Sequence, residues 1–420
     1  MRGHTATEKI LALRSGQKEV SPGDIATCDV DGVFVHSPWF FLGNWKKIGG
    51  VKRAFDAEKL IWGLGHHVCL PSSDGYATDL VEAREAAKKY GFKHVYDMGT
   101  GNGHIIMLEK GHVRPGHVYV GADSHSTVYG VLGAFGTALS YEVAEILLSG
   151  KAWFRVPTTV RVNIEGQTRK GVCARDVGQH LLGVIGADGA LWRTLEFAGS
   201  YTHSLSIHQR MIFSFLAVEM GAVTGFIEPD EVTKEFLHNR ARGPYEVVYN
   251  DPDCEFEREW DVDVRDVEPL IAAPPRPTNN EKVSETEKKN IRVHQAYIGG
   301  CTGSSLEDFK MAAEILKGRS IHPDTRLLIV PGTADVQKEL YKEGLYEFFV
   351  DLGAIVSPPY CGPCQMFCYG NLGHGEVMIG THPRNQHGRA GDNGGIYLAS
   401  PYTVAASAVC GKITDPRNFL

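Results

Sequence analysis

Short apolar runs alternate with segments of helical period along most of the chain. That alternation restricts the fold more than any other feature. Residues 117–120 read as a short apolar strand and 138–148 as a helix, and an alternating run follows at 159–164. Later, 293–298, 327–330 and 354–356 read as strands. Residues 306–317 read as a helix with Phe309, Ala312, Ala313 and Leu316 on one face. Ser304-x-x-Glu307 reads as its capping box, and Thr5-x-x-Glu8, ahead of Ile10, Leu11 and Leu13, as that of a first helix. Strands alternating with helices build parallel sheets, so the expected class is α/β. In such sheets ligands sit beyond the carboxyl ends of the strands.

A chain of 420 residues suggests about three domains. The stretch after Ala272 is rich in Pro, Asn and charge and lacks apolar periodicity, so residues 273–290 are expected to be a linker. A softer boundary falls near Val156-Pro157. The expected organisation is an α/β domain over 1–156, a second over 157–272, the linker, and a third over 291–420. With 43 basic against 50 acidic residues, the chain lacks the positive balance of a nucleic-acid binder. No apolar run reaches the ~18 residues of a membrane span, and the best candidate, 211–223, is broken by Glu219. No secretory pattern opens the chain, so the cytoplasm is the expected location.

Nine cysteines are present, three of them between 361 and 368. Gly299-Gly300-Cys301-Thr302-Gly303 follows one expected strand, and Cys361-Gly362-Pro363-Cys364 follows another. Cys301, Cys361 and Cys364 can therefore meet at one sheet edge. Three thiolates suit a cubane cluster that leaves one iron open to a substrate oxygen. They also suit a zinc site with Cys368 as fourth ligand, a thioredoxin-type redox pair in the CGPC segment, or plain core packing. Spacing alone does not separate cluster, zinc and packing.

Other candidates carry weaker signals. Asp123 and His125 flank Ser124 and can form an acid–base pair, or a helix cap with a surface imidazole. His104 lies in a glycine-flanked turn, and His66-His67 in another. Arg384 and Arg389 lie five apart on a loop, as a carboxylate clamp or as solvated charges. Glu219 is the sole charge of an apolar run, which points to a buried, partnered carboxylate.

Five motifs in order carry a family resemblance. Gly121-Ala-Asp123-Ser124-His125, Val218-Glu219-Met-Gly-Ala, Tyr297-Ile-Gly-Gly-Cys301-Thr, Cys361-Gly-Pro-Cys364 and the 397–408 block resemble the aconitase superfamily. Within it the resemblance is nearest to the large subunits of two-subunit hydro-lyases. It implies three parallel-sheet α/β domains around a 4Fe-4S cluster with one open iron, held by Cys301, Cys361 and Cys364. It implies His67 as proton donor to the leaving hydroxyl, and His104, Asp123 and His125 as its acid–base network. Glu219 would neighbour the open iron, and Arg384, Arg389 and Ser124 would contact substrate. The implied reaction is dehydration or isomerisation of a hydroxy di- or tricarboxylate such as isopropylmalate, homocitrate or homoaconitate, dimethylmalate, or maleate or citraconate. The fourth, swivelling domain would come from a separate small subunit, giving a heterodimer or heterotetramer. Some members of the superfamily lose the cluster and bind RNA; the acidic balance counts against that alternative.

Four positions depart from the family pattern: His66 replaces Asp, and Phe215, Gly303 and Pro383 replace Asn. A second imidazole cannot supply the negative charge that would hold His67 protonated. Another carboxylate must do so, or the hydroxyl is protonated differently.

Overall fold

The computed structural model describes residues 2–47, 54–71, 73–140, 142–365, 368–391 and 395–420, apart from the side chains of 39–41. Three sheets follow one another along the chain. The first contains β2 (Gly32–Val35), β3 (Leu60–Gly63), β4 (His94–Tyr96), β5 (Val118–Gly121) and β6 (Phe135–Ala138), in the order β4-β3-β2-β5-β6 and all parallel. The second contains β8 (Thr159–Glu165), β9 (Thr194–Ala198), β10 (Thr224–Phe226) and β11 (Arg258–Asp263), in the order β10-β9-β8-β11 and also parallel. An antiparallel ribbon of β1 (Ile25–Asp29) and β7 (Lys151–Arg155) lies outside them.

The third sheet is mixed. Its strands β14 (Gln295–Ile298), β15 (Arg326–Ile329), β16 (Ile355–Val356), β17 (Val377–Gly380) and β18 (Gly395–Ala399) are parallel, in the order β18-β17-β14-β15-β16. Two further strands, β12 (Leu270–Ala272) and β13 (Asn280–Lys282), extend it antiparallel beside β18. Part of the expected linker is thus structured. Residues 280–282 pair with 270–272, and Val283–Glu287 forms a short helix that buries Val283 and Thr286. Its low apolar content suits an edge strand, which buries few side chains.

Strand composition explains which sheets are covered. β2, β3, β5 and β14 are buried at every position, as parallel strands with helices on both faces should be. The ribbon strands β1 and β7 instead alternate exposed and buried. Each fully buried Val, Ile or Phe in these strands contributes roughly 1.5–3 kcal/mol relative to exposure.

The helix expected at 138–148 starts later, and residue 138 ends a strand instead. Residues 135–138 form β6, paired with β5, and the helix runs only Val143–Ser149. The helix Leu306–Leu316 forms as expected, but its capping box is Ser305 with Asp308, one residue on from the pair read in the sequence. The Thr5–Glu8 capping box of Ala6–Ser15 forms as read.

Each of the three sheets has a topological switch point: the order reverses between β2 and β5 in the first, between β8 and β11 in the second, and between β14 and β17 in the third. The loops that leave the carboxyl ends of the first- and third-sheet strands carry nearly all the chemistry below.

Candidate active site

The first sheet delivers a histidine–carboxylate cluster. His36 follows β2, His66 and His67 follow β3, and Asp123 follows β5. Asn102 caps the helix Gly103–Glu109 by accepting from the His104 amide at 3.0 Å, which sets His104 in the first helical turn. Its Nε2 lies 2.9 Å from Asp123 Oδ1 and its Nδ1 lies 3.0 Å from the Tyr129 hydroxyl. Asp123 caps the following 3-10 helix Ser124–Leu132, accepting from the His125 amide at 2.8 Å. The His125 ring then bridges Asp123, at 3.5 Å, and Glu219, at 3.7 Å. Ser124 opens the same helix and is half-buried.

His36 was missed in the sequence because nothing local marks it. Its Nε2 is 3.5 Å from Asp123 Oδ2, and its Nδ1 is 2.6 Å from Ser37 Oγ. Its ring contacts His67 at 4.3 Å between centroids. A short polar residue at a strand's end becomes legible only when the switch point is known.

His66 does not act as a charge partner. Its Nδ1 accepts from the Gly103 amide at 2.9 Å, a role a carboxylate could also fill. The carboxylate near His67 is instead Asp123: His36, His67 and Asp123 each place a donor atom within 4.8 Å of the others. Burial holds His36, His66, His67 and His104 below the ordinary imidazole value. Burial opposes ionisation of Asp123, but hydrogen bonds from His104 and His125 hold its carboxyl well below the usual range. The cluster thus sets one low-lying carboxyl among four imidazoles whose protonation burial disfavours.

The third sheet delivers the cysteines. Cys301 follows β14, and Cys361 and Cys364 follow β16. Gly300 sits at φ +74°, and a Cβ there would meet His382 Cβ at 2.9 Å. Gly303 admits no side chain, because the space is filled by Thr381, 2.2 Å from where its Cβ would lie. Its departure from Asn is therefore a packing consequence. The Tyr297 hydroxyl donates to the Cys361 carbonyl at 2.6 Å. The Cys361 amide donates to the His66 carbonyl at 2.9 Å, and Asn102 Nδ2 donates to Cys361 Sγ at 3.5 Å. The thiol and imidazole clusters are thus bonded to each other across the two sheets. Burial pushes the Cys301 and Cys361 thiols well up, and the neighbouring Cys364 adds to both shifts.

The remaining candidates join the same place. Arg384 Nε donates to Glu219, and Arg389 donates to Cys364 Sγ at 3.6 Å. Burial favours the neutral acid at Glu219, but His125 and Arg384 together hold its carboxyl down. Phe215 is fully buried and packs edge-on against His104 and His125. Every site residue read from the sequence therefore falls into one assembly.

That assembly has the chemistry of a cofactor site. It offers three grouped thiols, and several buried polar atoms around them have no partner. These are both ring nitrogens of His382 and Nε of Arg389. Buried groups normally find partners, so the donor set and the orphaned atoms both fit a bound group with soft metal and acceptor atoms. A zinc site completed by Cys368 is disfavoured, since the Cys368 thiol already donates to the His67 carbonyl at 2.7 Å.

Comparison with known proteins agrees. A profile of the aconitase family (aconitate hydratase) matches residues 74–411. The chain is 41% identical to the large subunit 1 of 3-isopropylmalate dehydratase from Methanopyrus kandleri over 422 residues, covering 100% of both. It is 40% identical over 427 residues to the corresponding protein of Pyrococcus furiosus, again covering 100% of both. Among solved structures, aconitase X of Thermococcus kodakaraensis matches at 12% identity with a TM-score of 0.49, covering 90% of this chain and 89% of that one. The chain belongs to the aconitase family. It is a hydro-lyase, and family membership implies an iron–sulfur cofactor in general terms. Among the described residues, no helix is long and apolar enough to cross a membrane.

Proposed function

We propose that the chain is the cofactor-bearing large subunit of a two-subunit hydro-lyase acting on a hydroxy di- or tricarboxylate, with a 3-isopropylmalate-type substrate favoured. The supporting observation is that the cysteine and histidine–carboxylate clusters are bonded to each other through Cys361, His66 and Asn102. The relatives' names add the substrate and, through the words large subunit, a small-subunit partner.

Cys301, Cys361 and Cys364 would hold a 4Fe-4S cluster. With three protein ligands such a cluster would leave one iron open and would supply Lewis acidity toward a substrate oxygen. The chain's own residues then divide the work. His67 gives a proton to the departing hydroxyl oxygen. Asp123 lies close enough to stabilise the His67 imidazolium before that transfer, the task a neighbouring carboxylate performs elsewhere in the family. His104 and His125 both hold Asp123 Oδ1, and His36 faces Oδ2. Arg389, whose Nε is unpartnered, binds a substrate carboxylate, and Arg384 does so with its fork oriented by Glu219. Ser124, half-buried beside Asp123, contacts substrate. The proton on carbon is left to a base of the small subunit, so the chain alone is inactive. The buried Phe215 makes the wall behind His104 and His125 apolar, which favours a substrate with fewer polar groups than citrate.

The test is iron and acid-labile sulfide per chain after anaerobic purification, followed by a dehydratase assay with the co-expressed small subunit. About four of each is expected for an intact cluster, with activity on 2- or 3-isopropylmalate. Iron-free protein, or zinc alone, overturns the reading.

A further inference from the structure

Arg175 lies in the first turn of the helix Ala174–Ile185, in the second-sheet region, and is completely buried. Its guanidinium is bound by neutral acceptors: Gln179 Oε1 at 2.9 Å, and the carbonyls of Thr381 and His382 at 3.4 Å each. The two carboxylates that attract it are engaged elsewhere. Asp176 accepts from the amides of Cys173 and Leu270, both at 3.1 Å, and Asp308 caps its own helix with Ser305. A cation at a helix N-terminus also faces the positive end of the macrodipole. A buried charge without an anionic partner is strongly unfavourable, and burial pulls the Arg175 pKa down to about 10.

What Arg175 holds is informative. The Thr381 carbonyl also accepts from the Thr302 hydroxyl at 2.6 Å, and Thr381 Oγ1 accepts from the Gly299 amide at 2.9 Å. Thr302 follows Cys301 directly, and His382 lies two residues before Arg384. The guanidinium therefore joins the Cys301 loop to the Arg384 loop from behind, and Cys301 is among the groups whose negative charge attracts it.

We infer that Arg175 is a positioning residue for the cofactor: a buried cation with neutral hydrogen-bond partners whose charge is balanced by the anionic, cysteine-held cluster. The inference rests on the reading that Cys301, Cys361 and Cys364 hold that cluster. Arg175 sets the Cys301 and Arg384 loops in register, and its positive charge favours the more negative state of the bound group. Without the cluster its charge is a liability, so cofactor occupancy and the docking of second-sheet helix to third-sheet loops reinforce each other.

The experiment compares wild type, Arg175→Met and Arg175→Lys, purified anaerobically with the cluster in place and again after its removal. In Arg175→Met the cluster's reduction potential, followed by EPR, is expected to become more negative. Iron release to a chelator should quicken by about 10-fold or more. The cluster-free Arg175→Met protein should melt no lower than cluster-free wild type, since the variant removes an unbalanced buried charge. Arg175→Lys should keep a potential close to wild type. A potential and iron-release rate unchanged in Arg175→Met, with a lower melting temperature of the cluster-free form, would overturn the inference and leave Arg175 an ordinary packing residue. If Arg175→Met does not fold, Arg175→Gln is measured against the same criteria. Wild-type protein lacking iron and sulfide would instead sink the proposed function itself.

Discussion

The first and third sheets solve one architectural problem with opposite chemistry. Each has a switch point, and each sends its functional loops from the carboxyl ends of adjacent parallel strands. The first sheet gathers imidazoles around one carboxylate, linked by direct side-chain hydrogen bonds such as His104 to Asp123 at 2.9 Å. The third gathers thiols that backbone contacts position, as in the Tyr297 hydroxyl to the Cys361 carbonyl at 2.6 Å. Proton transfer needs a network with definite donors and acceptors. Metal binding needs bare, deprotonated sulfur with its loops fixed by something else. On the proposed function, the difference assigns proton handling to the first region and the metal to the third, with the second sheet packed beside them.

The largest effect should come from breaking the third-sheet region alone. Cys361→Ser changes one buried atom, so the fold should survive, but visible absorption and bound iron should fall to near background and activity with them. Metal analysis and the spectrum check this. Full iron retention in Cys361→Ser would remove Cys361 from the cofactor ligands and collapse the division drawn above.

Breaking the first-sheet region should give a different signature. Asp123→Asn keeps the shape but loses the charge that His104 and His125 hold and that lies near His67. We expect kcat to fall ~10²–10⁴-fold, the usual worth of a positioned acid–base group, with iron content unchanged. Steady-state kinetics and iron analysis on one preparation decide it. Iron loss matching that of Cys361→Ser would show that the two regions are not separable.

Much of this was readable before the structure, and the gaps have physical causes. Strands 118–121, 295–298 and 326–329 announced themselves as apolar runs because parallel strands are covered on both faces. The strand 135–138 carries no signal of its own, because its Phe-Gly-Thr-Ala sequence is short and runs directly into a helical period. The pair 270–272 and 280–282 was hidden because edge strands tolerate the charge and Pro that also mark linkers. Cys301, Cys361, Cys364, Asp123 and His125 were legible because close spacing or family motif marks them. His36 and Arg175 were not, since their meaning depends on partners such as Asp123 and His382, far away in sequence.

The smallest predicted effect concerns the second-sheet region and separates burial from function. Glu196 in β9 is buried, accepts from Asn250 Nδ2 at 3.0 and 3.1 Å, and lies 3.3 Å from Arg161 Nε. Burial pushes its carboxyl from 4.5 up to about 7, with Glu228 and Glu259 adding to the rise. If a shifted carboxyl alone marked a catalytic group, Glu196, pushed up, would qualify as well as Asp123, held down, yet it touches neither cluster. Between pH 4.5 and about 7 the folded protein keeps a proton on Glu196 that the unfolded chain has lost. Stability attributable to this residue therefore falls as pH rises through that window and levels off above it. Glu196→Gln cannot ionise, so its stability relative to wild type should improve from low to high pH by on the order of 2 kcal/mol. Denaturant unfolding of both proteins at either end of the window measures that gap. Iron content and kcat of Glu196→Gln should match wild type. An equal stability gap at both ends would mean that Arg161 and Asn250 offset the burial, whereas a large loss of kcat would extend the catalytic region into the second sheet.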